Sequence, residues 1–182
     1  MDNGASSYRR FLDGDERAFD RIMEELFYPL VFFIDRYVQD IHTAEDIAMD
    51  VFSELIVHRH RYHFKVSLKT YLFMLGRSRA LDYIKHRNKL NTVPLTEAEQ
   101  VESAEPTPEE ILLTDERKRA VNGALSQLSE EMRLAVHLVY FEQLSAEEAG
   151  KVMKKSRKQV YNLLYRAKET LRAILGEEML LL

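Results

Sequence analysis

The chain has 182 residues, 46% of them hydrophobic, and a formal net charge of −4. That length holds one domain or two small ones around a true core. There is no cysteine, which excludes disulfides, thiolate metal sites and cysteine catalysis. No apolar run approaches the roughly 20 residues of a membrane span, and the opening MDNGASSYRRFLDGDE has no apolar signal core. The expectation is a cytoplasmic protein without membrane insertion.

Strand signals are absent, and helical periodicity covers almost everything outside one segment. The first helix is predicted from about Asp15 to Gln39, with Ile22, Leu26, Leu30, Phe33 and Ile34 among its apolar positions. Pro29 lies inside it and lacks a backbone donor, which predicts a kink or break. Thr43 is read as the cap of the next helix, with Asp46 three residues on and a stripe of Ile47, Val51, Leu55 and Ile56. A third helix over about 67–88 buries Leu68, Tyr71, Leu72, Leu75, Ala80, Leu81 and Ile84.

Residues 91–108 contain Pro94, Pro106 and Pro108, many acids and few apolar side chains, the composition of a linker. Helical signals resume over about 109–126. Ser129 then caps a helix over 130–141 with Met132, Ala135, Val136, Leu138 and Val139 apolar. The predicted fold is all-α: two small helical domains, 10–90 and 109–176, joined by an acidic linker.

The C-terminal stretch is the most specific. Ser145 and Glu148 form an S-x-x-E capping box that opens a short helix to Met153. Lys154 and Lys155 fall in a turn, and Ser156 caps a longer helix. Val160, Leu163, Leu164, Ala167 and Leu171 recur at spacings of three and four, so they face inward. Arg157, Lys158, Tyr161, Asn162, Tyr165, Arg166 and Lys168 remain for solvent. Cationic, amide and phenolic groups on one helix face suit a DNA major groove, so the second domain reads as a helix-turn-helix.

Charge distribution supports this more than the net value does. His58 to Lys89 holds nine Lys/Arg and one acid, Asp82; Lys151 to Arg172 holds eight and one, Glu169. The intervening 96–116 stretch is acidic, with no basic residue. His58, His60 and His63 form an H-x-H-x-x-H pattern of potential metal ligands. On a helix only positions 60 and 63 share a face, and no carboxylate follows closely, so solvated or phosphate-facing histidines are favoured. No cofactor is expected. There is no phosphate loop, nucleophile elbow or carboxylate pair that would make an enzyme or take a small-molecule substrate.

The order of parts resembles a bacterial RNA polymerase sigma factor of the extracytoplasmic-function (ECF) type, in the sigma-70 family. The resemblance rests on GDERAFDRIMEELFYPLVFFIDRYV, AEDIAMDVFSELIVHRHRY and YLFMLGRSRALDYIKHRNK in the first domain. In the second it rests on the run from LSQLSEEMRLAV to the end of the basic helix. It implies a non-enzymatic initiation factor that binds core RNA polymerase and directs promoter-specific transcription initiation. Asp46, Asp50, Val51, Phe52 and Leu55 are expected to meet the β′ clamp. Arg77, Ser78, Arg79, Tyr83, Lys85, His86 and Arg87, with the loop 63–67, would contact the opened −10 strand. Lys154, Lys155, Ser156, Arg157, Lys158, Tyr161, Asn162, Tyr165 and Arg166 would meet the −35 duplex. Of these, Lys154 and Lys155 are assigned to phosphates and Lys158, Tyr161 and Asn162 to base reading. The resemblance also implies a β flap contact, a path for the acidic linker along the RNA channel, and an anti-sigma factor as a further partner.

Three positions depart from the family pattern. Ser78 follows Arg77 where asparagine is common; Lys154 and Lys155 replace glycine and an aliphatic residue in the turn; Gly150 stands where alanine is common. A stand-alone helix-turn-helix regulator is the alternative reading, and the acidic-apolar helix and acidic linker fit it poorly.

Overall fold

The computed structural model describes residues 4–90 and 121–176, and among them every regular element is helical. The predicted linker 91–108, most of the helix predicted over 109–126 and the terminal Met-Leu-Leu-Leu lie outside the described residues. Helix α1 (Ala5–Leu12) was not expected from the sequence, and it moves the start of the N-terminal unit ahead of residue 10. It is anchored by Tyr8, which is fully buried with its hydroxyl shared between the carbonyl oxygens of Leu55 (3.1 Å) and Arg59 (3.0 Å).

Helix α2 (Glu16–Val38) runs through Pro29 without a break. The missing proline donor forfeits one backbone bond, but Leu26, Leu30, Val31, Phe33 and Ile34 are all buried around it, and that packing keeps the helix continuous. Gln39 ends α2 in a left-handed conformation (φ 54°). Asp40, rather than Thr43, caps α3 (Ile41–Val57): its carboxylate accepts the Thr43 N–H at 2.7 Å, the first cause of its lowered pKa.

A short 3-10 turn (Arg59–Arg61) leads to α4 (Leu68–Leu90). Helices α2, α3 and α4 pack mutually around Leu30, Ile34, Val51, Phe52, Leu72 and Phe73. Gly76 lets α4 lie close to α2; a Cβ there would come within 2.8 Å of Leu30 Cδ1.

In the C-terminal unit residues 121–126 are helical, and Ser129 caps α5 (Glu130–Val136) as expected. The chain then widens into a π-helical turn (His137–Phe141) instead of continuing as an α-helix. Helices α6 (Ala146–Met153) and α7 (Arg157–Leu175) follow, each opened by a complete capping box, Ser145 with Glu148 and Ser156 with Gln159. The two units touch: α4 packs against α6.

Candidate polymerase and nucleic-acid interfaces

The helix-turn-helix is closed by backbone geometry. Lys154 adopts φ 58°, ψ 44°, and the Lys155 N–H bonds the Gly150 carbonyl at 2.8 Å. Val160, Leu163 and Ala167 bury the inner face of α7, while Arg157, Lys158, Tyr161, Asn162, Tyr165 and Arg166 are exposed, as the periodicity predicts. The Arg157 guanidinium lies over the Tyr161 ring, 5.4 Å from its centroid, and donates to the Tyr161 hydroxyl at 3.4 Å, so the two side chains hold each other. Lys154 is exposed. Lys155 is not a free cation: its Nζ lies 2.8 Å from Glu131 Oε1 and its side chain is 23% exposed. Ser156 spends its hydroxyl on the Gln159 N–H.

On α4, Ser78, Arg79, Tyr83, Lys85, His86 and Arg87 are exposed. Arg79 is held by Glu54 of α3, and the same carboxylate takes Arg61 at 2.8 Å. The Arg79 hydrogen bond, with help from Arg61, keeps Glu54 below the usual carboxylate range despite partial burial. Glu54 thus ties the turn after α3 to α4, a link the sequence did not suggest. Arg77 is half-buried with its Nε shut away from solvent.

Helix α3 requires a correction. Asp46 and Asp50 are exposed, but Val51, Phe52 and Leu55 are at most 2% exposed and belong to the core. The stripe at 44, 47, 48, 51, 52 and 55 faces α2 and α4, so no partner can reach those three residues without unfolding the unit. The apolar side chains that share the outer face with the two acids are Met49, Ile56 and Val57. Stepping by three and four from Asp46 would have found them. His58, His60 and His63 are exposed, and no metal-holding cluster of side chains exists among the described residues.

The two units meet through polar side chains as well as apolar ones. Lys69 Nζ lies 2.7 Å from Glu142 Oε2 and donates to the Glu142 carbonyl at 2.8 Å. The Ser67 hydroxyl donates to Glu148 Oε1 at 2.9 Å, and the Thr70 hydroxyl is 3.1 Å from the same oxygen. Burial raises the Glu148 carboxyl, but donors from Ser145, Ser67 and Thr70 outweigh it and lower the pKa. Nearby, a cleft of about 290 Å³ separates Tyr37, Arg77, Leu81 and Ile84 from Glu130, Glu131, Leu134, Met153 and Lys155.

Among the described residues no helix is long and apolar enough to cross a membrane. Residues 25–90 match the family pattern described as Sigma-70 region 2, and residues 118–171 the one described as Sigma-70, region 4. The ECF RNA polymerase sigma factor SigM of Bacillus subtilis is 29% identical over 144 residues, 78% of this chain and 85% of that protein. The RNA polymerase sigma-H factor of Pseudomonas aeruginosa is 27% identical over 166 residues, 87% and 86% of the two chains. The sigma factor RpoE of Bartonella quintana, solved with the anti-sigma factor NepR, superposes with a TM-score of 0.63 at 20% identity. That superposition covers 87% of this chain and 97% of RpoE, and at such identity it speaks for the fold alone. With both conserved sigma regions present in order and together spanning more than half of its length, this chain belongs to the sigma-70 family as an ECF-type sigma factor.

Proposed function

We propose that the two helical units divide the sigma-factor task between them: α1–α4 dock on core polymerase and capture the opened −10 strand, and α5–α7 read the −35 duplex. Sigma factors are DNA-binding initiation factors and leave catalysis to polymerase, so no residue here is given a chemical role. The observation that carries the assignment is the exposed face of α7. Its cationic, amide and phenolic groups stand on a helix whose first turn is fixed by a capping box. Phosphate contacts set register and base-edge contacts set sequence. Lys154 and Lys158 are the free cations at the start of the motif. Tyr161 and Asn162 remain the base-reading candidates, with Arg157 joining them through its contact with Tyr161 and Lys158 open between base and phosphate.

The polymerase surface is the outer face of α3, revised to Asp46, Asp50, Met49, Ile56 and Val57, and its partner is the β′ clamp. The C-terminal unit meets the β flap. On α4 the strand-facing group is Ser78, Arg79, Tyr83, Lys85, His86 and Arg87, since basic side chains beside an exposed aromatic suit single-stranded DNA. The protein works in the cytoplasm with polymerase. An anti-sigma factor is a further partner; the solved structure of RpoE is a complex with one. A stand-alone helix-turn-helix regulator is not favoured, because residues 25–90 form a sigma region 2.

In vitro transcription with core polymerase and a genomic template library tests the reading. Promoter-specific transcripts that depend on the added chain are expected, and none would remove it. On a panel of −35 variants, Asn162→Ala is expected to change the preference order by ~1–3 kcal/mol at one base pair. Lys158→Ala is informative in the same assay, since a pure phosphate contact lowers all affinities alike and reduces the salt slope by about one.

A further inference from the structure

The loop that leads into α4 is strained at its middle residue. Phe64 has φ 56°, a conformation that a bulky side chain rarely adopts. Among the described residues Gln39, Gln143 and Lys154 are the other non-glycine residues with positive φ, and each stands at a helix end, where that conformation closes the last turn. Phe64 ends no helix, so its conformation has to be held by its surroundings. Helix α1 supplies the hold. The Arg9 guanidinium lies over the Phe64 ring, 4.8 Å from its centroid. The rings of Tyr8 and Tyr62 pack on it with centroids 6.2 Å and 4.6 Å away. At one end of the loop the Tyr8 hydroxyl meets the carbonyl oxygens of Leu55 and Arg59. At the other end Gly4 lies on Leu68, the first residue of α4; a Cβ there would come within 3.1 Å of Leu68 Cδ2. Within the loop the Tyr62 hydroxyl donates to the Val66 carbonyl at 2.7 Å. Helix α1 thus spans the loop from the end of α3 to the start of α4. His63 and Lys65, on either side of Phe64, are exposed.

We propose that α1 is a brace for the segment that meets the opened −10 strand, with Tyr8 and Arg9 as positioning residues that keep Phe64 left-handed. The turn at Phe64 leaves both of its neighbours, an imidazole and an ammonium, in solvent ahead of the basic face of α4. An ammonium suits a phosphodiester, and an imidazole ring suits an unpaired base. A loop free to relax at Phe64 would carry these two side chains through many arrangements, and strand binding would have to order them. Helix α1 does that ordering in advance. The inference rests on the reading that the N-terminal unit captures the −10 strand; the bracing of the loop does not.

The first test is limited trypsin digestion of the full-length chain, followed at the bond after Lys65. Arg9→Ala removes an exposed side chain, and Tyr8→Phe keeps the ring while removing the hydroxyl. Cleavage after Lys65 is expected to quicken about threefold in Arg9→Ala and about tenfold in Tyr8→Phe, with cleavage after Arg87, at the far end of α4, unchanged. Arg9→Ala carries the test should Tyr8→Phe not fold. Unchanged cleavage after Lys65 overturns the brace. The second test uses holoenzyme reconstituted with core polymerase, on promoters recovered by transcription of the genomic library and varied at each −10 and −35 position. Arg9→Ala is expected to reduce the preference for the best over the worst base at a −10 position by at least about threefold, and to leave −35 preferences and core association intact. A loss of stability alone would lower transcription from every promoter alike. That uniform result, or a loosened loop with the −10 preference intact, overturns the positioning role. His63→Ala and Lys65→Ala separate the failures. If either alters −10 binding while Arg9→Ala and Tyr8→Phe do not, only the brace falls. If none of these variants alters it, the strand-capturing reading of the loop falls as well.

Discussion

Gly150 and Lys155 approach so closely that a side chain at position 150 has no room: a Cβ there would lie 2.6 Å from the Lys155 carbonyl oxygen. The same pair is joined by the Lys155 N–H to Gly150 carbonyl bond that closes the turn. Helix propensity alone favours alanine over glycine at this position by up to ~1 kcal/mol. Here the contact is with backbone, which cannot rotate away. Gly150→Ala is therefore expected to destabilise the C-terminal unit by ~1–3 kcal/mol, read as a lower denaturant midpoint. An increase in stability would mean that the turn relaxes.

Lys154 carries the opposite prediction. Its left-handed conformation costs an L side chain roughly 1–2 kcal/mol relative to glycine, part of which glycine gives back through its freer unfolded chain. Lys154→Gly is expected to raise stability by ~0.5–1 kcal/mol while lowering affinity for all duplex sequences alike. Thermal unfolding and a salt titration of DNA binding measure the two effects separately.

On α3 the burial pattern splits two substitutions that the sequence places on one surface. Phe52→Ala empties a core position, 1% exposed between rings of Phe19 and Phe27, and is expected to cost ~3–5 kcal/mol of folding stability. Asp50→Arg, at an exposed position, is expected to leave the melting profile within ~0.5 kcal/mol and to weaken association with core polymerase. Equal losses of stability in the two variants would contradict this division.

His137 makes stability depend on pH. It faces Glu142 on its own segment, Lys69 from α4 and Arg36 from α2. A carboxylate 3.3 Å away ordinarily raises an imidazole's pKa. Here burial, with Arg36 next, prevails and lowers it from 6.5 to about 4. The imidazole is then neutral in the folded chain, and unfolding returns it toward 6.5. Above that value neither state binds the proton and this contribution is independent of pH. Between 6.5 and about 4 the unfolded chain takes up a proton that the folded chain refuses, so folding weakens by up to about tenfold per pH unit. Denaturant midpoints taken from pH 8 to pH 5 check this, and His137→Gln should flatten the profile. Folding that strengthens through this group on acidification would contradict the sign.

Sequence periodicity carried the helices whose burial is one-sided. α2, α4 and α6 fall within about two residues of their predicted ends, α7 starts where predicted, and Ser129, Ser145 and Ser156 cap as their spacing implies. Misses occurred where tertiary contacts outvote local signals. Helix α1 has a polar composition and is held by one buried tyrosine, Tyr8, whose partners are 47 and 51 residues away. Pro29 breaks no helix because its neighbours are core. On α3 the acidic and apolar residues looked contiguous in sequence, yet Val51 and Phe52 turn inward next to Asp50. Nothing in the sequence pairs Lys69 with Glu142, separated by 73 positions. Such pairings depend on how the units dock, which periodicity does not encode.

The π-helical turn at 137–141 sets a phase. The Glu142 N–H bonds the His137 carbonyl, five residues back, at 3.0 Å. In an ordinary α-helix each residue advances by about 100°, and the widened turn delays that rotation. Glu142 ends up aimed at Lys69, while Tyr140 and Phe141, 61% and 64% exposed, are left in solvent. Removing one residue from this stretch would retain most of the composition and still swing Glu142 off its partner. Whether the chain can fold back on itself is thus decided by a count of residues, like a key cut one notch too short.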